Sequence, residues 1–255
     1  MAHLDRDGVR IWYEDHGRGP ALLLTHGYGA TAAMWGPQIR GLAGRFRLLL
    51  WDMRGHGRSD SPDDGAAYSE RLSVGDMRAV LDACGVDRAV VGGLSLGGYL
   101  SLAFHLEHAA RVRALLLFDT GPGYRNEEGR TRWNALAESY ARGFEERGLE
   151  ALGPSAEVRA SEHRSADGLA RAARGILAQR DARVIDSLTA IDVPTLVLWG
   201  EADEAFVKPG EYMAAKIPGA RRVVLPGAGH AANLDRPQAF NAAIADFLEP
   251  ILGDE

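Results

Sequence analysis

The chain has 255 residues, 46% hydrophobic and 25% charged, which is typical of a globular protein large enough to bury a sizeable core. Its formal net charge of −6, with arginines interleaved among acidic residues, argues against nucleic acid or an anionic membrane as a partner. A single cysteine, Cys84, excludes an intrachain disulfide, and the absence of an apolar leader or a membrane-length apolar run predicts a cytoplasmic protein.

The chain begins with a pattern typical of an antiparallel hairpin, because residues 3–15 alternate polar and apolar side chains around a turn at Asp7 and Gly8. Short apolar runs follow, of the kind found in parallel strands buried on both faces. Helix-like patterns cover 72–84 and 236–252, and Asp235 is expected to cap the second of these. The predicted buried strands are 21–24, 47–51, 90–91, 114–118, 194–199 and 222–225.

The alternation of predicted strands and helices stops between the strand at 114–118 and the strand at 194–199. Residues 121–187 contain only helix-like stretches, and this length exceeds an ordinary connection in an α/β domain. The sequence therefore predicts an α/β fold with a doubly wound, mostly parallel sheet and an inserted helical cap. The expected core domain is 1–120 with 188–255, and the expected cap is 121–187.

A Gly-x-Ser-x-Gly motif runs from Gly93 to Gly97, between an apolar run and a helix-like stretch. A strand that turns into a helix through this motif holds its serine on a tight turn, which the flanking glycines permit. A dinucleotide-binding loop would need a second glycine where Leu94 stands. The motif instead predicts a nucleophilic Ser95, with the N–H of Leu96 directed at a developing oxyanion.

Further polar residues follow the other predicted strands, and parallel strands end at one edge of a sheet, where active sites lie. We expect an active site at this edge, with Ser95 as nucleophile, His230 as general acid and base, and Asp203 as the carboxylate that orients His230. Asp119 is the alternative acid, or else it bonds the turn that follows it. The residues at strand ends are His26, Asp52, Ser95, Asp119, Asp203 and His230.

Several polar residues at or near the strand ends are expected to have structural rather than catalytic roles. His26 and His56 are expected to brace their loops, and Asp52 is expected to pair with Arg54. His105 and His108 lie three residues apart on a predicted helix but lack a third ligand, so we expect no metal site. No other cofactor is indicated, and the sequence is silent on the oligomeric state.

The whole chain resembles the α/β-hydrolase fold family, in particular its small lactonases, esterases and carbon–carbon bond hydrolases. The resemblance implies that the N–H groups of Tyr28 and Leu96 form the oxyanion hole. Related dehalogenases and epoxide hydrolases carry aspartate where this chain has Ser95, so an acyl-enzyme is expected. The matching segments are His-Gly-Tyr-Gly from His26, Asp-Met-Arg-Gly-His-Gly-Arg-Ser from Asp52, the serine motif with Gly98, Gly-Glu-Ala-Asp from Gly200, and Gly229-His230.

The leading expectation is a serine hydrolase that cleaves a carboxylic ester or lactone of a small, fairly apolar molecule. Carbon–carbon bond hydrolysis of a ring-fission product is an alternative, with cap arginines to bind its carboxylates, and so is cofactor-free perhydrolase activity. A receptor that kept the fold without catalysis is the alternative from a different class. The candidate arginines are Arg125, Arg130 and Arg132, and the candidate apolar lid residues are Tyr124, Trp133, Tyr140 and Phe144.

Overall fold

A computed structural model describes residues 1–253, and the last two residues of the predicted core domain lie outside that range. Eight strands form one sheet in the order β1-β2-β4-β3-β5-β6-β7-β8. The hairpin β1–β2 and the pair β2–β4 are antiparallel, and all other neighbours are parallel. The strands are β1 (Ala2–Arg6), β2 (Val9–His16), β3 (Ala21–Thr25), β4 (Arg47–Trp51), β5 (Ala89–Leu94), β6 (Val112–Phe118), β7 (Thr195–Gly200) and β8 (Arg221–Leu225).

Helices cover both faces of this sheet. The α-helices are α1 (Gly36–Leu42), α2 (Glu70–Ala83), α3 (Leu96–His108), α4 (Glu127–Arg147), α5 (Ala156–Arg159), α6 (Ala166–Ala172), α7 (Arg183–Ser187), α8 (Glu204–Lys216), α9 (Ala232–Asp235) and α10 (Pro237–Leu252). Short 3₁₀ helices span Ala32–Trp35, Gly65–Ala67, Ala109–Arg111, Gly148–Ala151 and Leu188–Ala190, and a π-helix spans Ala173–Leu177.

The sheet lies between two apolar cores because its central strands are apolar on both faces. Along β3, Leu23 packs into one core with α2 and α3, whereas Leu22 and Leu24 pack into the other with α1 and α10. Strands β3, β5 and β7 are buried along their whole length. This arrangement confirms the predicted doubly wound, mostly parallel sheet and the predicted hairpin.

The chain between β6 and β7 is helical, as predicted for the inserted cap. It contains α4 to α7 and a small apolar cluster of its own, in which Phe144 and Leu169 are buried. Tyr28, from the loop after β3, packs against this cluster and joins the insertion to the core. The division of the chain at residues 121 and 187 stays a prediction.

Two local expectations are wrong. Asp235 does not cap α10; it ends the short helix α9, and its Oδ2 accepts the N–H of Gly229 at 2.8 Å. Asp52 does not pair with Arg54. Its carboxylate accepts the N–H groups of Ala32 and Arg58, and Arg54 pairs with Asp76 of α2. Within residues 1–253, no helix combines the length and apolarity needed to cross a membrane.

Candidate active site

Ser95 is the single residue between the end of β5 and the start of α3. Its φ of 56° lies in the left-handed region, which a serine rarely adopts without surrounding constraint. The constraint comes from its backbone, since its N–H donates to Phe118 O at 2.9 Å and its carbonyl accepts the hydroxyl of Thr120 at 2.6 Å. A Cβ at Gly97 would overlap the carbonyl oxygen of Thr25, so glycine is required there.

The turn places Ser95 half-buried on the wall of a cavity. Leu96 is the first residue of the 13-residue helix α3, so its N–H lies at the positive end of the helix dipole. Tyr28 approaches from the loop after β3 and lines the same cavity. A Cβ at Gly27, next to Tyr28, would lie 3.4 Å from Ser95 Cβ, which shows how closely this loop packs on the serine.

His230 and Asp203 form a short hydrogen bond at the same edge of the sheet. The distance from His230 Nδ1 to Asp203 Oδ2 is 2.7 Å, and the Asp203 side chain is 6% exposed. This bond fixes the orientation of the imidazole and directs a proton on Nδ1 toward the carboxylate. The ring of Phe206 stacks on His230 with centroids 4.9 Å apart. Both members of the pair line the cavity with Ser95.

Asp119 lies behind this pair and is fully buried. Its Oδ1 accepts the N–H of Gly200 at 2.8 Å, whereas its Oδ2 has no hydrogen-bonding partner within residues 1–253. Burial, reinforced by the negative charge of Asp203, raises the pKa of Asp119 to about 9, so this carboxyl group is neutral at pH 7. The expected bond to the turn after Asp119 is not formed. Asp119 bridges β6 to β7 instead.

Three neutral imidazoles support the loop that carries Tyr28. His26 Nδ1 donates to Gly27 O at 2.7 Å and its Nε2 accepts the N–H of Met53 at 3.0 Å, as expected for a residue that braces its own loop. His56 lies beside it, with ring centroids 5.1 Å apart and the ring planes tilted by 52°, and accepts the N–H of Gly29 at 3.3 Å. Burial lowers the pKa of His26 to about 3 and that of His56 well below its ordinary value.

The third imidazole is His163, from the helical insertion, which sequence reasoning missed. Its Nε2 donates to Gly29 O at 3.0 Å and its Nδ1 accepts the N–H of Gly57 at 3.2 Å. Both nitrogens are used, and burial lowers the pKa of His163, so the neutral ring holds the insertion to the Tyr28 loop. A lone histidine in a stretch without helical or strand periodicity gives no signal of this position.

The cavity holds about 870 Å³ and lies between the carboxyl edge of the sheet and the helical insertion. The four aromatic residues expected to form a lid all line it. Tyr140 stacks on Tyr28 with centroids 5.9 Å apart, and Trp133 donates its indole N–H to Leu177 O at 2.8 Å. Tyr124 and Tyr140 are also 41% and 44% exposed, which places them at the rim. The aromatic lining residues from the insertion are Tyr124, Trp133, Tyr140 and Phe144.

The cap arginines proposed as carboxylate ligands lie elsewhere. Arg125 pairs with Asp186, Arg132 pairs with Glu128, and Arg130 donates to backbone carbonyls. None of the three lines the cavity. Within residues 1–253, no three His, Cys, Asp or Glu side chains are grouped to hold a metal ion.

Comparison with known proteins agrees with this architecture. Residues 22–243 match the sequence profile described as alpha/beta hydrolase family. The chain is 29% identical to 3-oxoadipate enol-lactonase 1 of Acinetobacter baylyi, with 97% of this chain and 96% of that protein covered. It is 31% identical to the 2-hydroxy-6-oxononadienedioate/2-hydroxy-6-oxononatrienedioate hydrolase of Cupriavidus pinatubonensis, over 94% of this chain and 90% of that one. A solved structure of a thermophilic esterase from Thermogutta terrifontis is similar, with a TM-score of 0.82, 27% identity, and coverage of 99% and 98%.

Proposed function

This chain belongs to the alpha/beta hydrolase family, and from that premise we propose that it is a serine hydrolase cleaving a carboxylic ester or lactone of a small, fairly apolar molecule. The observation that carries the proposal is the 2.7 Å bond from His230 Nδ1 to Asp203, at a cavity that Ser95 also lines. A serine hydroxyl becomes nucleophilic when a histidine accepts its proton and a carboxylate orients that histidine. The named relatives include a lactonase and an esterase.

The proposed reaction has two halves. His230 Nε2 takes the proton of the Ser95 hydroxyl as Oγ attacks the carbonyl carbon, and the N–H groups of Tyr28 and Leu96 stabilise the oxyanion. When the intermediate collapses, the bond from carbon to the leaving oxygen breaks and that oxygen receives the proton from His230. Water then attacks the acyl-serine, with His230 again as base, and releases the acid and free Ser95.

The cavity favours a largely apolar substrate. Its aromatic walls come from both sides, the insertion and the loop after β3, and we propose that residues 121–187 act as the cap over the site. A relative is named a 2-hydroxy-6-oxononadienedioate hydrolase, so hydrolysis of a ring-fission product is the second candidate. The cap arginines expected to bind its carboxylates are used elsewhere, which favours the ester or lactone.

The test compares the wild type with Ser95→Ala on a panel of p-nitrophenyl esters and simple lactones. Ser139→Ala serves as the matched control, because Ser139 is an exposed serine on α4. We expect turnover in the wild type and the control, and a loss of about three orders of magnitude or more in Ser95→Ala. Full turnover by Ser95→Ala would overturn the assignment of the nucleophile.

A further inference from the structure

One stretch of the cavity wall carries a carboxylate among apolar neighbours. Glu157, on the short helix α5, lines the cavity together with Ser155, and the Glu157 side chain is largely buried at 6% exposure. The surrounding wall is apolar: Leu152 and Val158 flank the pair, and both lie within 3.9 Å of a Cβ built on Gly29. This part of the cavity therefore adjoins the loop that carries Tyr28.

Only one of the two carboxyl oxygens of Glu157 has a hydrogen-bonding partner within residues 1–253. Its Oε1 accepts the hydroxyl of Ser155 at 2.7 Å, whereas nothing in residues 1–253 donates to its buried Oε2. No arginine, lysine or histidine of that range forms an ion pair with it. A carboxylate out of water without a counter-charge is unfavourable, so such a group usually has a partner. The partner of Glu157 is missing from the chain itself.

The cationic side chains near Glu157 do not pair with it. Arg159, on the same helix, donates to Pro154 O instead. His163 and His56 pack on the same loop, but burial lowers the pKa of each, so neither carries a charge at neutral pH. Arg174 is paired with Glu138 and Glu145. Lys208 lines the cavity from α8, on the side of His230, and makes no ion pair with Glu157. The cavity wall at Glu157 thus holds a carboxyl group that no cationic side chain of residues 1–253 pairs with.

We propose that the substrate carries a protonated amine, which occupies the part of the cavity lined by Ser155 and Glu157. The Ser155 hydroxyl donates a hydrogen bond to Glu157, so the lone pairs of its oxygen are free to accept an N–H from the ligand. The aromatic rings of Tyr28, Tyr140 and Phe144 line the same cavity, and aromatic rings attract cations electrostatically. This inference rests on the proposed hydrolase function and adds one charged group to an otherwise apolar substrate.

Two pairs of esters of matched shape test it, one for each half of the substrate. Each pair differs in one position, where a protonated dimethylamino group replaces an isopropyl group. In the alcohol half the pair is 2-(dimethylamino)ethyl butyrate and 3-methylbutyl butyrate. In the acyl half it is methyl 4-(dimethylamino)butanoate and methyl 5-methylhexanoate. The readout is kcat/KM at neutral pH, by titration of the acid released, for the wild type and Glu157→Gln.

Glu157→Gln removes the charge but retains an amide oxygen that can accept the Ser155 hydroxyl. Glu146→Gln is the control, because Glu146 is exposed on α4 and its loss changes the net charge equally. For one pair we expect the wild type and the control to prefer the amine by about tenfold or more in kcat/KM. We expect Glu157→Gln to lose that preference, which is the ratio of kcat/KM between the two esters for the same variant.

Each alternative outcome overturns the inference. The wild type could show no preference in either pair, or Glu157→Gln could retain the preference. A loss of preference in Glu146→Gln as well would assign it to overall charge. These results leave the proposed function intact, because turnover of the isopropyl esters reports it separately. Only a wild type that hydrolyses none of the four esters, with Ser95 unreactive, would remove both.

Discussion

Replacing Asp119 by asparagine separates the two acids of the site. Asp119 is fully buried, and its pKa is raised from 3.8 to about 9, first by burial and then by the charge of Asp203. Asparagine has the shape of the neutral acid, and its oxygen can accept the N–H of Gly200 as Asp119 does. The variant therefore keeps the native bond and removes the titration.

The sign and size of the effect follow from the two pKa values. Between pH 3.8 and about 9 the folded wild type holds a proton that the unfolded chain has released. The stability that Asp119 contributes is therefore complete at low pH and is lost as the pH rises, by about 1.4 kcal/mol for each unit. Asp119→Asn has no such loss. We expect its advantage in unfolding free energy over the wild type to grow by up to about 4 kcal/mol from pH 5 to pH 8.

Urea denaturation at pH 5 and pH 8 measures this difference. Asp87→Asn is the control, because the Asp87 side chain is 98% exposed and its variant should track the wild type at both values. A stability difference that does not change with pH, or that shrinks toward pH 8, would refute the neutral assignment of Asp119. Turnover gives a second readout. Asp119→Asn should retain it, and Asp203→Asn should lose about three to four orders of magnitude in kcat; the reverse would make Asp119 the acid.

Three further predictions concern the support of the site. His163→Ala should lower the unfolding free energy by about 2–4 kcal/mol, because it leaves Gly29 O and Gly57 N without their partner. It should also lower kcat about tenfold by loosening the Tyr28 loop. The control is His3→Ala at an exposed position, which should leave denaturation and ester kinetics unchanged; the same result for His163→Ala would contradict the prediction. Arg54→Met should cost about 2–3 kcal/mol in urea denaturation, because buried Asp76 loses both hydrogen bonds from Arg54 and keeps only the one from Arg6 at 3.2 Å. Adding Asp76→Leu should recover part of that loss, and a double variant as unstable as the sum of the single ones would argue against the ion-pair explanation. Gly97→Ala should fail to fold or lose turnover, since its Cβ meets Thr25 O; a stable, active variant on circular dichroism and ester assay would show that the turn relaxes.

The strands and the polar residues at their ends were predictable because both follow from local pattern. A run such as residues 114–118 has no polar side chain to place toward water, so it must be buried on both faces. Parallel neighbours then bring their carboxyl ends together without further information. Ser95, Asp203 and His230 fall at one edge for that reason.

The insertion and the contacts that cross the sheet edge were not predictable in the same way. His163 and Glu157 lie where side-chain periodicity is absent, and their positions depend on how the insertion packs on the loop after β3. The expected pair of Asp52 with Arg54 was wrong because two residues that are close in sequence need not have side chains that are close in space. Asp76 lies on the buried face of α2 and provides Arg54 with two hydrogen bonds at 2.6 and 2.9 Å.

The central claim, that Ser95 is an activated nucleophile, is tested most directly by fluorophosphonate labelling followed by peptide mass spectrometry. The reagent is added to the wild type and to His230→Gln, and the site and rate of modification are read. We predict one adduct per chain, on Ser95, and labelling slowed by about two orders of magnitude or more in His230→Gln. A wild type that hydrolyses esters while Ser95 stays unmodified, or that carries the adduct on another residue, would contradict the account.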